Sequence, residues 1–442
     1  MASWRVTLSC WFALTTLLSV GKNAASREFS FRLTASAEAV AEITAQAPGG
    51  SWGVSGAEAS LAKVSLDGAY NQDIVVFHGP APWTYRVFLG RVTAGTHRLM
   101  IERNDRWSAP HAGLEVGDVK VTGITPDLPD WRVIEHIPIL LARADTVGHF
   151  SDVPMLMWYE VFPQDHQQTI QYSIVFSNED GGTPTDALMA RWGRATDIEY
   201  VYRVTLDDHG RILKESFLDI EENDHPFRGR KEDQHPFILD TSDNNDFTDT
   251  GYSPVQYRML PVRADLSQHS REELMDRSPW TYRIMGEELQ REGKIRTFDV
   301  SAGTAIGDPR SYVYLEINAD NKESGLVVWV KLKGDPRSYS SHRGRLDLVI
   351  SRSGWYRTTV ELPPGTRAGA IESVALECVD LRDPFLAYTE HNPVPAGESD
   401  LKAISKAFLL NSDYDPETNL LEVRQTVVFH PGDMYAFLPN AH

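Results

Sequence analysis

Short runs in which apolar and polar residues alternate recur along most of this chain, separated by turn residues. At 85–89, for example, Tyr85, Val87 and Leu89 share one face, because successive side chains of a β-strand point to opposite sides of the sheet. Long helical patterns are scarce. The 442 residues are also too many for one core, at roughly 150 residues per domain. The sequence therefore predicts a mostly β protein with two or three β-sandwich domains.

Turn-rich sequence indicates where these domains divide. The connector at 125–130 contains two prolines and is predicted to end the first sandwich. We expect a β-sandwich at 26–125, a central β-rich domain at 131–299 and a C-terminal β-sandwich at 300–442.

The clearest helical signal lies near 270–293. Ser270 and Glu273 have capping-box spacing, and Pro279 divides the run because proline interrupts a helix. We predict two short helices that cover a sandwich, the second ending near Gly293.

The amino terminus has the pattern of a secretory signal peptide. Arg5 precedes an apolar run at 6–20, shorter than the ~20 residues of a membrane helix. Small residues near Ala25 then offer a cleavage site. We expect residues 1–25 to be removed from a secreted protein, periplasmic or extracellular and bacterial in origin; an uncleaved membrane anchor is the alternative. Cys378 would then be the only cysteine, which excludes a disulfide within one chain.

Net charge narrows the choice of partners. The formal charge is −19, and loss of Arg5 and Lys22 with the signal peptide would make it −21. Such a field repels phosphate backbones, so nucleic acid is not an expected partner. No later segment has the length and apolarity of a membrane span, so no transmembrane segment is expected in the mature chain.

Two strands of the first unit carry a resemblance. The run GTHRLMIERN at 95–104 and the run VKV at 119–121 resemble strands of jelly-roll carbohydrate-binding modules. This resemblance implies a jelly-roll-like sandwich that binds a polysaccharide or surface glycan. Sugar rings stack on aromatic rings, so the candidate ligand-binding residues are Trp52, Trp83, Tyr85 and Trp107. The alternative for each is packing in the core.

The central segment at 172–202 collects charged and aromatic side chains around a Gly-Gly turn. Strands are predicted at 172–176 and 197–206, with a loop at 178–183. Asp197 and Glu199 would share one face, roughly 7 Å apart along the strand, which suits a metal site or an acid/base pair with Arg194 as electrostatic stabiliser. The neighbouring candidates for ligand binding are Glu179, Asp180, Arg191 and Trp192.

The run at 193–199, GRATDIE, resembles the Gly-His-Arg-His-Asp-Trp-Glu strand entry of the necrosis-inducing-protein superfamily. Asp197 and Glu199 match the acids of that pattern, whereas Arg194 and Thr196 replace its two histidines. The resemblance implies a β-sandwich in which the acids help to hold a divalent cation used at membrane glycolipids. A buried network of arginine and carboxylates that fixes the loop is the alternative.

The loops that follow contain further candidate metal ligands. His225 and His235 each precede a proline, which favours extended or turn backbone, so both are candidate ligands beside Asp197 and Glu199. The segment 240–251 is rich in Asp and Asn, whose oxygens suit Ca²⁺, although a solvated turn is the alternative. The cofactor expected of such groups is a divalent cation, Ca²⁺ or Mg²⁺.

No catalytic template for a hydrolase elbow, a nucleotide loop or a zinc helix occurs in the chain. The leading hypothesis is a secreted β-sandwich protein that binds a glycan. The alternative is a carbohydrate-active hydrolase or lyase that uses Asp197, Glu199 and Arg194. A third hypothesis is an extracellular structural or filament-forming protein that assembles through exposed sheet edges.

Overall fold

The computed structural model describes residues 26–300, 303–382 and 397–440. Strands account for 47% of it and helices for 10%, which confirms the prediction of a mostly β protein with several sandwiches. The predicted signal peptide at 1–25 lies outside the described residues. None of the described helices is long and apolar enough to cross a membrane.

The first unit is a sandwich of two antiparallel sheets with strand orders β1-β6-β3-β4 and β5-β2-β7. Alternation along the strands positions its core: Phe29, Phe31, Leu99 and Ile101 are buried, and their neighbours on β1 and β6 are exposed or partly exposed. Its strands are β1 Ser26–Leu33, β2 Ala37–Gln46, β3 Ser60–Leu66, β4 Ala69–Val76, β5 Trp83–Val92, β6 Gly95–Arg103 and β7 Glu115–Ile124.

The middle unit contains a sheet of order β13-β12-β11-β10-β9-β18 and a second of order β14-β15-β8-β17, with β16 on β15. Most pairs are antiparallel, but β8 and β15, and β9 and β18, run parallel. Its elements are α1 Trp131–Glu135, β8 Ile139–Leu141, β9 Pro154–Gln164, β10 Gln167–Phe176, α2 Thr185–Trp192, β11 Ile198–Asp207, β12 Ile212–Leu218, β13 Asp224–Pro226, β14 Lys231–Glu232, β15 His235–Asp240, β16 Phe247–Thr248, β17 Gln256–Tyr257 and β18 Val262–Arg263.

Two helices, α3 Glu273–Arg277 and α4 Trp280–Arg291, lie where the sequence predicted them. Pro279 separates the two, as expected from its missing N–H. The predicted capping box is wrong: the helix begins after Glu272, and the Ser270 hydroxyl instead donates to Glu316 at 3.0 Å. The interaction with the C-terminal unit therefore replaces a local cap.

The C-terminal unit is a sandwich with sheet orders β22-β19-β24-β25 and β21-β20-β23-β26. Most of its apolar core forms a separate cluster. Six of its residues belong instead to the core of the first two units, namely Ile306, Tyr312, Tyr314, Phe408, Leu410 and Tyr414. Leu348 packs with Ala187 and Ala190 of α2. Its strands are β19 Tyr312–Lys322, β20 Ser324–Leu332, β21 Ser338–Ser340, β22 Gly354–Glu361, β23 Ile371–Asp380, β24 Glu398–Leu409, β25 Val427–Phe429 and β26 Met434–Phe437.

The first and middle units share one continuous apolar core. The segment that contains Met259 runs along β5, one of the edge strands of the first sandwich. There Phe88 N–H donates to the Arg258 carbonyl at 3.0 Å, and Leu260 N–H donates to the Arg86 carbonyl at 3.1 Å. The middle unit thus covers a sheet edge that would otherwise present unpaired backbone groups.

Candidate functional site

A cavity of about 230 Å³ lies where the first and middle units meet. The first sandwich contributes the end of β4 and the start of β5. The middle unit contributes the start of β9, the segment at 257–262 and the residues Ser278 and Trp280. The wall is mostly aromatic, aliphatic and methionine side chains, with a few polar groups at the rim, as is usual for small-molecule sites.

Two indole rings form part of this wall. Trp83 and Trp280 are both partly exposed, with ring centroids 6.2 Å apart and planes at 62°. His78 stacks on Trp83 at 4.4 Å, and Phe77 stacks on Trp280 at 4.5 Å. The stacking partners hold both indoles in place, so each can present a fixed face to a ligand.

The other predicted sugar-stacking residues are less available. Trp52 is 2% exposed and its Nε1 donates to the Phe77 carbonyl at 2.8 Å, so it belongs to the core. Tyr85 lines the cavity but is buried, with its hydroxyl accepting from His78 N–H at 3.1 Å. Trp107 lies apart from the cavity, partly exposed beneath the guanidinium of Arg106.

The predicted strands of the central segment pair with each other as β10 and β11. Tyr172 lies opposite Tyr202 and Ser173 opposite Tyr200, so Val201 is the extra residue of a β-bulge. The bulge interrupts the alternation, and Val201 and Tyr202 are both buried. Glu199 precedes the bulge and lies at the partly exposed start of the strand.

Asp197 is sealed. It is 3% exposed, and its Oδ2 accepts from Asn245 Nδ2 at 2.9 Å. Its Oδ1 accepts from the Ile198 N–H at 2.8 Å and lies 3.6 Å from Arg194 Nη1. Arg194 is buried as well and donates to Glu272 at 3.2 Å. The structure corrects the expectation of an accessible acid/base pair, because Asp197 and Arg194 lie inside a buried network.

Glu199 is different, since its side chain is 23% exposed and lies 3.7 Å from Arg271. Burial raises the pKa of Glu199 to about 7, with nearby Asp197 adding to the rise and Arg271 opposing it. Burial, followed by Asp197, also raises the pKa of Glu179 to about 8. Glu179 is buried and accepts from the Thr183 N–H at 2.7 Å.

The remaining candidates of this segment occupy two places. Asp180 is exposed and accepts from the Ser151 hydroxyl at 2.6 Å. Arg191 lies over the ring of Trp192 at 4.5 Å, and Arg352 of the C-terminal unit contacts the same ring at 4.9 Å. These contacts join α2 to its surroundings and are remote from the cavity lining.

The metal set of Asp197, Glu199, His225 and His235 does not assemble. His235 is fully buried, with Nδ1 2.8 Å from the Ile137 carbonyl and Nε2 3.1 Å from Glu38 of the first sandwich. His225 is largely exposed and pairs with Asp219 at 3.2 Å. The two histidines are therefore occupied elsewhere, and the cation implied by the superfamily resemblance has no such site here.

Sequence reasoning missed Trp280 and α2. Trp280 was included in a helix expected only to cover a sandwich, although its position directly after Pro279 marks the exposed first turn. For α2, Pro184 before a run of good helix formers and Gly193 after it were usable signals; Gly193 takes a left-handed φ of 64° at the C-terminal cap.

No protein-family profile and no curated protein matches this chain. Among solved structures, it resembles the EclA C-terminal domain, a sugar-binding protein, at 17% identity over 27% of this chain and 90% of that one, with a TM-score of 0.17. The CBM36-1 domain of a xylanase from the hindgut metagenome of Trinervitermes trinervoides matches at 10% identity over 25% and 93%, with a TM-score of 0.18.

A family two carbohydrate esterase from Clostridium thermocellum matches at 16% identity, over 28% of this chain and 32% of that one, with a TM-score of 0.14. The solved structures that resemble parts of this chain thus include sugar-binding and carbohydrate-active proteins. At these TM-scores none of the likenesses supports an argument about the fold or the function of the present chain.

Proposed function

We propose that this protein is a secreted, non-catalytic carbohydrate-binding protein whose ligand enters the cavity between the first and middle units. The observation that carries the proposal is the pair of partly exposed indole rings, Trp83 and Trp280, held on one cavity wall. Flat C–H faces of sugars stack on such rings. Because the cavity is smaller than the roughly 300–1,000 Å³ of pockets for drug-sized ligands, the expected occupant is one sugar ring at the end of a glycan.

Ser278 lies near Trp280 in the cavity lining and offers a hydroxyl for a hydrogen bond to a sugar. Thr84 and Arg86 also belong to the lining, but their side chains alternate with those of Trp83 and Tyr85 on β5 and contact Thr44 and Glu42 across the sheet. An aromatic platform with few polar side chains favours binding of a neutral sugar ring.

Acid/base chemistry at Asp197 and Glu199 is less well supported. Asp197 has no opening to solvent and both of its oxygens are engaged, so only Glu199 can meet a substrate. Hydrolysis through a pair of carboxylates needs both at the scissile bond. Binding without turnover therefore accounts better for the geometry.

Titration against a panel of soluble glycans tests the proposal. We expect binding without product release, weakened at least tenfold by Trp83→Ala and by Trp280→Ala. Trp355→Ala is the matched control, since Trp355 is also partly exposed but lies in the C-terminal sandwich, and it should bind as the unaltered protein does.

If Trp83→Ala and Trp280→Ala bind glycans as tightly as the unaltered protein does, the cavity is not the binding site. Release of sugar products that is lost in Glu199→Gln would instead establish the hydrolase. Filaments that grow with protein concentration, without glycan binding, would favour the structural hypothesis.

A further inference from the structure

One indole ring contacts two arginines where α2 meets the C-terminal unit. Trp192 ends α2, and the guanidinium carbon of Arg191 lies 4.5 Å from its ring centroid. The guanidinium carbon of Arg352, in the segment before β22, lies 4.9 Å from the same centroid. A guanidinium that stacks on a ring keeps its N–H groups at its edge, where they can bind an anion. We call Arg191 and Arg352 the Trp192 arginine pair.

The donors of the Trp192 arginine pair are unused. In the part of the chain that the structure describes, neither guanidinium forms a hydrogen bond or an ion pair. Both residues are partly exposed, and none of their side-chain nitrogens is sealed from solvent. A guanidinium has five N–H donors in one plane. Two sets of donors are therefore open to a ligand.

The acids that act on these two arginines are bound by other arginines. Asp347, whose charge interacts with Arg191, accepts from Arg345 Nε at 3.2 Å. Glu272, whose charge interacts with the second arginine of the pair, accepts from Arg194 Nε at 3.2 Å. Neither member of the pair therefore has a carboxylate of its own, although the whole chain has a formal charge of −19.

Further positive charge surrounds Arg352. Burial lowers the pKa of Arg352 to about 10, and the charges of Arg194 and Arg271 add to this fall. Glu272 opposes the fall. An anion bound beside Arg352 would stabilise its charged form, because an opposite charge favours that form.

A stacked arginine elsewhere in the C-terminal unit shows the contrasting case. The guanidinium carbon of Arg337 lies 5.3 Å from the ring centroid of Tyr339, and its Nη2 donates to Asp335 at 3.2 Å. Arg337 thus shares the stacking of the Trp192 arginine pair, but a carboxylate already accepts from it. It therefore serves as the matched control.

We propose that the Trp192 arginine pair binds one tetrahedral oxyanion, a sulfate or phosphate group that is either free or carried by a sugar. Guanidinium groups bind oxyanions through two parallel N–H bonds, and a doubly charged ion offers oxygens to both arginines. A carboxylate has one charge and fewer oxygens, so it should bind more weakly. Because the field of an acidic chain repels extended polyanions, the expected ligand is a single compact group.

This site is separate from the cavity at Trp83 and Trp280, whose lining contains none of the three residues. The inference therefore does not depend on the proposed sugar binding in that cavity. Loss of one activity in a variant should leave the other unchanged.

Isothermal titration of the intact protein with sodium sulfate and with sodium phosphate, at neutral pH and constant low ionic strength, tests the proposal. We expect one anion per chain, and sodium acetate should bind at least tenfold more weakly. Galactose 6-sulfate is then compared with inorganic sulfate, with galactose as the neutral control. Tighter binding of galactose 6-sulfate would assign the site to a sulfated sugar, and tighter binding of inorganic sulfate would assign it to the free ion.

Variants locate the site. Arg191→Gln and Arg352→Gln should each weaken sulfate binding at least tenfold, whereas Arg337→Gln should bind as the unaltered protein does. Arg352→Lys keeps the charge and covers the case in which Arg352→Gln does not fold. It should still bind sulfate more weakly than the unaltered protein, because an ammonium group lacks the planar pair of N–H groups.

The proposal is overturned if sulfate does not bind at one per chain. It is equally overturned if the variants of Arg191 and Arg352 bind sulfate as tightly as the unaltered protein does, or if Arg337→Gln weakens binding as much as they do. Sulfate also stabilises proteins in general because it is excluded from their surfaces. A melting temperature that rises equally with sulfate in all variants would therefore count against the site.

Discussion

Trp280, the first residue of α4, stacks on Phe77, with ring centroids 4.5 Å apart and ring planes at 13°. Phe77 directly follows β4, so the stack joins the helical cover to the first sandwich. Tyr85 adds an edge contact to Phe77 at 5.2 Å. The same three rings line the proposed ligand cavity, which makes its shape dependent on the packing between units.

Phe77→Ala should lower the free energy of unfolding by about 3 kcal/mol, because a buried ring and its aromatic contacts are lost. Urea unfolding followed by tryptophan fluorescence measures the change. Tyr435→Ala is the control, because this ring is 47% exposed and its loss should change stability by less than about 1 kcal/mol. Equal effects of the two variants would contradict the role assigned to the stack.

His235 and Glu38 connect the middle unit to the first sandwich through a fully buried contact. His235→Ala would leave the Glu38 carboxylate buried without its partner, so we expect a loss of about 3–5 kcal/mol. A double-mutant cycle with Glu38→Gln should give a coupling of about 1–3 kcal/mol. The exposed pair Lys322–Glu398 is the control, with a coupling below about 1 kcal/mol; similar couplings in both cycles would exclude a special role for the buried pair.

His136 should make stability depend on pH. Burial, with Lys231 nearby, lowers its pKa from 6.5 to about 4. Since the folded state disfavours the charged ring, the stability that neutral His136 contributes is fully present above pH 6.5. It is lost as the pH falls towards 4. At pH 5 about 2 kcal/mol should be lost relative to pH 8. Urea unfolding of the unaltered protein and of His136→Gln, each at pH 5 and pH 8, isolates the contribution of His136 to the pH dependence of stability. The same pH dependence in both proteins would rule out that contribution.

Two glycines with left-handed backbone allow the cost of backbone strain to be distinguished from the cost of a side-chain clash. Gly193 has a φ of 64°, and a Cβ there would collide with the side chain of Arg357. Gly334 has a φ of 76° and open space around it. Gly334→Ala should cost about 1–2 kcal/mol from backbone strain alone. Gly193→Ala should cost at least about 2 kcal/mol more, because Arg357 is fully buried against Asp276; equal costs in thermal unfolding would show that Arg357 yields freely.

The strands could be predicted from local sequence pattern, whereas the candidate site could not. Tyr85, Val87 and Leu89 were predicted to share one face because strand alternation is a local property, and all three are buried. The bulge at Val201 breaks the same rule, since one extra residue inverts every face beyond it. Burial of Asp197 depends on Asn245, which is 48 residues away, and burial of Trp52 depends on Phe77, so neither could be read from neighbouring residues.

Because the Met259 segment pairs with β5, the first sandwich depends on the middle unit for the backbone partners of one sheet edge. A fragment that ends at residue 125 would lose the backbone partners of Phe88 and Arg86 and half of the cavity wall. Its uncovered edge strand and apolar flank would invite self-association. Transfer of the proposed ligand recognition to another protein would therefore require residues 26–300 together, and residues 26–125 by themselves would be a poor tag.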